Sequence, residues 1–193
     1  DWSAASFWYE IVSFAHDARV VLTGLRDAAW QGDAVAQDLW SFAVRTGRHT
    51  NGTELTWKTE PQRSPSAFEL NDTPDLLQPL AATLAGRELP VAISVPSAVR
   101  LKESDRLATT ADALRAFGFQ VDTTTNGIES NGSLTVLSPP PFDPHNDHRL
   151  AMCLAPLSLL CDAVTITDAD VVNKSYPRFW DHLAKAGFQL TWE

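Results

Sequence analysis

Apolar positions along this chain switch between helical and strand spacing in a regular order. In residues 3–15 (SAASFWYEIVSFA) they recur every three to four positions, which predicts a helix opened by Asp1 or Ser3. ARVVLTGL (18–25) then reads as a strand, VAQDLWSFAVRTG (35–47) as a helix closed by Gly47, and TELTWK (53–58) as a strand, before a loop at EPQRSP (60–65). The order returns with a short strand FEL (68–70) and a helix at 73–86, with Thr73 or Asp72 as cap, Pro74 in the first turn and Gly86 at the end. A strand at 89–94, a helix at 102–118, and strands FQVDTT (119–124) and SLTVLS (133–138) with Asn-Gly turns at 126–127 and 131–132 complete this block. The third block begins with a helix at 146–161. The strand AVTITD (163–168), a helix at 176–187 and a closing strand FQLTW (188–192) follow.

Two blocks also share residues. VAIS, RLKESDR and LRAFGFQVD correspond in order to VTIT, VVNKSYPR and LAKAGFQLT. Each copy carries a lysine between strand and helix (Lys102, Lys174) and an arginine four residues later (Arg106, Arg178). An internal repeat of this kind predicts a pseudo-symmetric α/β domain with equivalent positions in one layer. The cations should therefore gather at one end.

Composition narrows the class. A chain of 193 residues that is 44% hydrophobic and 20% charged suits one large domain or one lobe of something bigger. The net charge of −9 disfavours nucleic acid and acidic membranes, so any anion must be held by a local cluster. Cys153 and Cys161, about 12 Å apart if their segment is helical, are too distant for a disulfide and read as buried thiols of a reducing, cytoplasmic compartment. LAMCLAPLSLLC is too short to span a bilayer, and no signal peptide is visible. The chain runs straight into an apolar helix without an initiator Met, which reads as a cut through a longer protein.

Within 102–118, Lys102 and Arg106 stand four apart on one helical face beside Glu103. Like charges at that spacing repel, and cations in a first turn oppose the helix dipole. A solvated turn with Asp105 offsetting Lys102 is one account; a bound anion that relieves both penalties is the other, and the repeat favours it. In PHNDHR (144–149), His145 and His148 with Asp147 have a spacing that a metal could use, but a helix cap plus polar loop explains them without one. Arg149 opens an otherwise apolar helix and must leave the core at that helix's N-terminal end, shaped for bidentate contact with carboxylate or phosphate. Asp75 lies in another first turn, and pairing it with Glu103 gives two carboxylates among cations, a set suited to proton transfer on a phosphorylated substrate. No Gly-rich phosphate loop, Gly-x-Ser-x-Gly elbow or Cys-x-x-Cys occurs.

NDTPD, RLKESDRL, NDHRLAM and NKSYPRFW, in that order, together with DWSAASFW and the QGD at 31–33, resemble the C-terminal half of the 5-enolpyruvylshikimate-3-phosphate synthase family over essentially the whole chain. The resemblance implies an enolpyruvyl transferase-like inside-out α/β domain of three βαβαββ-type repeats, residues 1–193 forming one lobe whose companion N-terminal domain is outside this chain. It implies transfer of the enolpyruvyl group of phosphoenolpyruvate to the 5-hydroxyl of shikimate 3-phosphate with release of phosphate, a shikimate-pathway step that uses no metal or organic cofactor. On the matching positions, Arg106, Arg149 and Lys174 would bind phosphoenolpyruvate, and Asp75 and Lys102 shikimate 3-phosphate. Asp75 would be the base for the hydroxyl, Glu103 would handle the proton at the methylene carbon, and His148 would line the site. The pattern departs at Ala4, Phe7 and Ala98, where Ser, Tyr and Asn are usual. One lobe alone is expected to be inactive. Two other readings are a non-catalytic anion-binding module and the sister transferase acting on UDP-N-acetylglucosamine, which lacks RLKESDR.

Overall fold

The structure is a computed structural model that describes residues 1–26, 30–58 and 64–192. Its centre is helical. Helix α1 (Trp2–Phe14) is buried along nearly its whole circumference, as are α3 (Leu77–Gly86) and α5 (His148–Leu154). Helices apolar all round must be enclosed by other elements, and these three pack on one another within a buried core that includes Phe7, Leu80 and Leu154. Asp1 caps α1 by accepting from the Ala4 N–H at 2.8 Å.

Two small sheets cover this helical centre. Strands β1 (Arg19–Thr23), β2 (Val44–His49) and β3 (Gly52–Trp57) lie in the antiparallel order β1-β3-β2; between β1 and β2, α2 (Ala36–Leu39) is a single turn. The second sheet holds β4 (Phe68–Glu69), β5 (Val91–Ser94), β6 (Gln120–Thr124) and β7 (Gly127–Asn131) in the order β4-β5-β7-β6. The arrangement β5-β7-β6 copies β1-β3-β2, and β4 adds a parallel strand on the free side of β5. In the third unit only Phe142 and Ile166 pair, in parallel, as Phe68 pairs with Ile93. The outer helices α4 (Arg106–Ala116) and α6 (Phe179–Lys185) each end on a glycine in the left-handed region, Gly118 at φ 96° and Gly187 at φ 102°. The internal repeat is therefore present in three dimensions.

Several elements differ from the sequence expectation. The helix at 35–47 stops at Leu39, because Val44–His49 is drawn into a hairpin whose Thr50-Asn51 loop leads into Gly52. The strand at 133–138 is absent: the Asn126-Gly127 turn joins β6 directly to β7, and Asn131-Gly132 ends β7. The helix at 146–161 loses its α geometry at Ala155, ahead of Pro156, and finishes as 3-10 turns through Leu159. Residues 163–168 contribute the Ile166 bridge alone, and 188–192 join no sheet. Most of the loop at 60–65 lies outside the described residues. Gly86 is not a left-handed cap; a Cβ there would meet Phe14 and Leu160 at 2.7 Å, so it is a close-packing glycine, and Glu88 at φ 56° takes the left-handed position.

Cys153 is a buried free thiol, whereas Cys161, also free, is only half-buried, contrary to expectation. Among the described residues no helix is long and apolar enough to cross a membrane. Glu10 is fully buried on α1 with no hydrogen-bond partner for either carboxylate oxygen, so burial pushes its carboxyl well above the usual range.

Candidate functional site

The inner helices bring their N-terminal ends to one side of the molecule. Gln31 accepts from the Trp2 N–H at 2.9 Å, Ser3 donates to Asp33, and Gly32 lies against Asp72 and Thr73 just ahead of the 3-10 turn Pro74–Leu76 that leads into α3. Asp75 in that turn meets Arg149 in the first turn of α5. Gln31 and Asp33 thus hold the start of α1, and Gly32 sits beside the turn that leads into α3.

Arg106 is the hub. Its side chain is 2% exposed, yet three of its nitrogens each meet a carboxylate: Nε donates to Asp147 at 2.9 Å, Nη1 to Asp75 at 2.7 Å and Nη2 to Glu103 at 2.8 Å. Arg149 donates to the other oxygen of Asp75 at 2.8 Å, Lys174 to the other oxygen of Glu103 at 2.7 Å, and Lys102 stands 3.8 Å from Asp75. Four cations face three carboxylates, which leaves a positive remainder at one point of an acidic chain. A guanidinium can be buried at tolerable cost only when its donors are matched in this way.

Lys102 and Arg106 do not share a helical face. Asp105 is the N-cap of α4, accepting from the Ala108 N–H at 3.1 Å, and Lys102 precedes the helix in extended conformation. Asp105 pairs with Arg100 at 2.8 Å rather than with Lys102. The convergence seen in the sequence is real, but a turn from Lys102 to Asp105 produces it, with Glu103 and Arg106 bridged three residues apart.

Asp147 is the residue that sequence reasoning undervalued. Wholly buried, it caps α5 through the Arg149 N–H at 2.9 Å and accepts on Oδ2 from Arg106, from Ser104 at 3.1 Å and from Gln78 at 3.3 Å. The available signal was an Asp directly ahead of an apolar run in the same sequence as a conspicuous arginine. His148 is buried beside it with Nδ1 unpartnered; His145 points elsewhere, exposed and 3.8 Å from Asp143. Of the three departures, Ala4 lies in the first turn of α1, Ala98 is exposed, and Phe7 is buried edge-on against Phe179, so position 7 belongs to the core.

The protonation states follow from these contacts. Burial works against charge on Asp75, but Arg149, Arg106 and Lys102 outweigh it and hold the carboxyl below its ordinary value. Burial likewise opposes ionisation of Glu103, and the hydrogen bond from Lys174 with the charges of Arg106 and Lys174 brings it down to about 2. Desolvation and then Arg149 depress His148, which is neutral at pH 7. Both carboxylates are therefore ionised and stabilised by cations, and they become better bases when those cations are taken by another anion.

This α/β chain, in which apolar inner helices present the charge cluster at one end, has the enolpyruvyl transferase fold. It superimposes on an EPSP synthase from Acinetobacter baumannii with a TM-score of 0.73 at 23% identity, over 96% of this chain and 45% of that one. On the enolpyruvyl transferase NikO from Streptomyces tendae the TM-score is 0.64 at 18% identity, over 97% and 43%. Residues 1–183 match the sequence profile of EPSP synthase (3-phosphoshikimate 1-carboxyvinyltransferase), and the chain belongs to that family. Curated 3-phosphoshikimate 1-carboxyvinyltransferases from Bacteroides fragilis and Halobacterium salinarum are 32% and 34% identical, over 98% and 97% of this chain. The chain spans about half the length of these relatives, 47% and 44%.

Proposed function

We propose that this chain is the C-terminal lobe of a two-lobed 3-phosphoshikimate 1-carboxyvinyltransferase and supplies one wall of its active site. The arrangement around Arg106 carries the reading: one buried guanidinium fixes Asp75 and Glu103 while Lys102, Arg149 and Lys174 line the same cluster. Arg149, Lys174 and the second N–H groups of Arg106 hold the phosphate and carboxylate of phosphoenolpyruvate. Lys102 and Asp75 hold shikimate 3-phosphate.

The acceptor hydroxyl is a weak nucleophile and needs a base; the methylene carbon needs a proton. Asp75 takes the hydroxyl proton as that oxygen bonds to the central carbon of phosphoenolpyruvate. Glu103, once protonated, gives a proton to the methylene carbon and takes one back from the resulting methyl group as the C–O bond to phosphate breaks and the double bond re-forms. Their low basicity in the unliganded lobe is part of the mechanism. As the anionic substrates draw on Lys102, Arg149 and Lys174, each carboxylate loses cationic stabilisation and gains affinity for a proton. The same cations neutralise the departing phosphate. The second wall comes from the companion lobe, which closes the site against water, so a single lobe turns over negligibly.

Isothermal titration of the chain reassembled with its companion lobe tests the residue roles. A charge-assisted contact contributes about 1.5–3 kcal/mol, so Lys102→Ala should weaken shikimate 3-phosphate, and Arg149→Ala phosphoenolpyruvate, by roughly 10- to 100-fold. Unchanged affinities for both would remove the site assignment. Replacing shikimate 3-phosphate by UDP-N-acetylglucosamine should abolish turnover.

A further inference from the structure

Gln78, the second residue of α3, is an amide kept 1% exposed in a largely apolar helix. Its Nε2 donates to Asp147 Oδ2 at 3.3 Å, while its Oε1 meets no donor among the described residues. We infer, resting on the reaction proposed above, that Gln78 is a positioning residue: through Asp147 it holds the base Asp75 in register with Arg149 during turnover.

Stability does not account for this side chain. A buried amide oxygen without a donor costs free energy, and an apolar side chain of similar volume would avoid that cost. Turning the amide over brings no relief, since it would set Oε1 against a carboxylate oxygen and strand Nε2 instead. Nor does Asp147 need a third donor on Oδ2 to be buried. Arg106 Nε at 2.9 Å and Ser104 Oγ at 3.1 Å already serve that oxygen. Those two donors belong to the first residue of α4 and the turn ahead of it, whereas Gln78 brings a donor from α3. What Gln78 adds is therefore a link between helices.

Two direct polar links join the start of α3 to the start of α5. The outer one is Asp75 to Arg149 at 2.8 Å, with side chains 30% and 13% exposed. The inner one is Gln78 to Asp147, and both of these residues are buried. Asp75 and Gln78 stand three residues apart and so share a face, and Asp147 and Arg149 bracket the opening of α5. The two links respond differently to substrate. The anions assigned to Arg149 and the hydroxyl assigned to Asp75 compete for the outer link, whereas the inner link lies beneath them, closed to solvent. Once the outer link is drawn on, the direct hold of α3 on α5 passes to Gln78. Arg106 also bridges Asp75 and Asp147, but from α4 and with a guanidinium that itself faces the substrates. A base displaced by about 1 Å can lose on the order of a hundredfold in rate.

The test measures turnover by the chain reassembled with its companion lobe, together with the melting temperature of each variant. Gln78→Met keeps the volume and deletes both amide groups. Its kcat should fall at least about tenfold, with both KM values within about twofold of the parent's and a melting temperature equal to the parent's or higher. Gln78→Glu can donate to Asp147 only while the introduced carboxyl is protonated. Burial and Asp147 of α5 favour that form, and Arg106 of α4 opposes it. Its kcat relative to the parent should therefore rise as the pH falls from about 8 to about 6, while the ratio for Gln78→Met stays flat. A parental kcat for Gln78→Met would overturn the inference, and a lowered melting temperature beside that parental kcat would leave Gln78 a structural role only. Ratios with the same pH dependence in both variants would also overturn it. If the parent pair itself releases no phosphate, the proposed reaction fails and the inference falls with it.

Discussion

Replacing Asp147 separates a buried electrostatic role from a helix cap. Asp147→Ala removes the α5 cap, worth about 1 kcal/mol, and leaves Arg106 with a bare Nε in a site that is 2% exposed. Breaking a buried ion pair by deleting one partner costs about 3–5 kcal/mol. Asp75 and Glu103 remain on Nη1 and Nη2, so the lower end applies, and the sum is about 4 kcal/mol. That is a large part of the 5–15 kcal/mol typical of a domain. Asp147→Asn keeps a single acceptor oxygen, which serves either the Arg149 N–H or Arg106 and sets its NH2 against the other donor. With the charge also lost, it should cost about as much as Asp147→Ala. Lys174→Ala is the contrast: its pair with Glu103 is half-exposed, and its loss should stay within about 1 kcal/mol. Urea unfolding followed by tryptophan fluorescence measures all three. A loss below about 1.5 kcal/mol for Asp147→Ala would refute the view that the cluster depends on this buried carboxylate.

Other consequences are equally direct. Glu10 is held protonated in the core, so above pH 4.5 the unfolded chain releases a proton that the folded chain keeps, and stability falls by about 1.4 kcal/mol per pH unit until the buried group ionises. Glu10→Met should remove that slope, seen as a stability difference from the parent that grows from pH 5 to pH 7; a constant difference would contradict the burial argument. Glu103 is depressed to about 2, so its contribution is complete above pH 4.5 and disappears as the pH falls through about 2; Glu103→Gln should flatten acid unfolding in that window. Glu88→Gly should stabilise the protein by up to about 1 kcal/mol in thermal unfolding by relieving a left-handed glutamate. Gly118→Ala should do the reverse, because its Cβ would fall 1.8 Å from Thr135 Oγ1.

Helices were legible in the sequence where burial and spacing agreed. α1 and α3 have apolar positions all along, and α1 has its cap in Asp1. The site motifs stand on turns marked by Asp and Pro, although neither Thr73 nor Gly86 caps α3 as expected. Legibility failed where long-range pairing decided the local structure. Val44–His49 has a weak helical pattern, and only its partner β3 and the Asn51-Gly52 corner make it a strand. The strands predicted at 163–168 and 188–192 lack the antiparallel neighbour that β3 and β7 supply in the other units, and without one the alternation in FQLTW is not enough.

The charge cluster shows the same division. Residue types and order identified Asp75, Lys102, Glu103, Arg106, Arg149 and Lys174, and the structure gathers them around one guanidinium. Their mutual geometry was hidden, because Asp105 caps α4 and places Lys102 outside the helix. Asp147 was hidden for a different reason. In sequence a cap and an ion-pair partner look the same, and only the approach of α4 to α5 makes this carboxylate serve both.

Phosphate release from phosphoenolpyruvate, measured with and without shikimate 3-phosphate, tests the central claim most directly. The chain is assayed alone and then after reassembly with its companion lobe. Release is expected only with both substrates and both lobes present. Release by the chain alone would contradict the two-walled site, and no release from a demonstrably reassembled pair would contradict the proposed reaction.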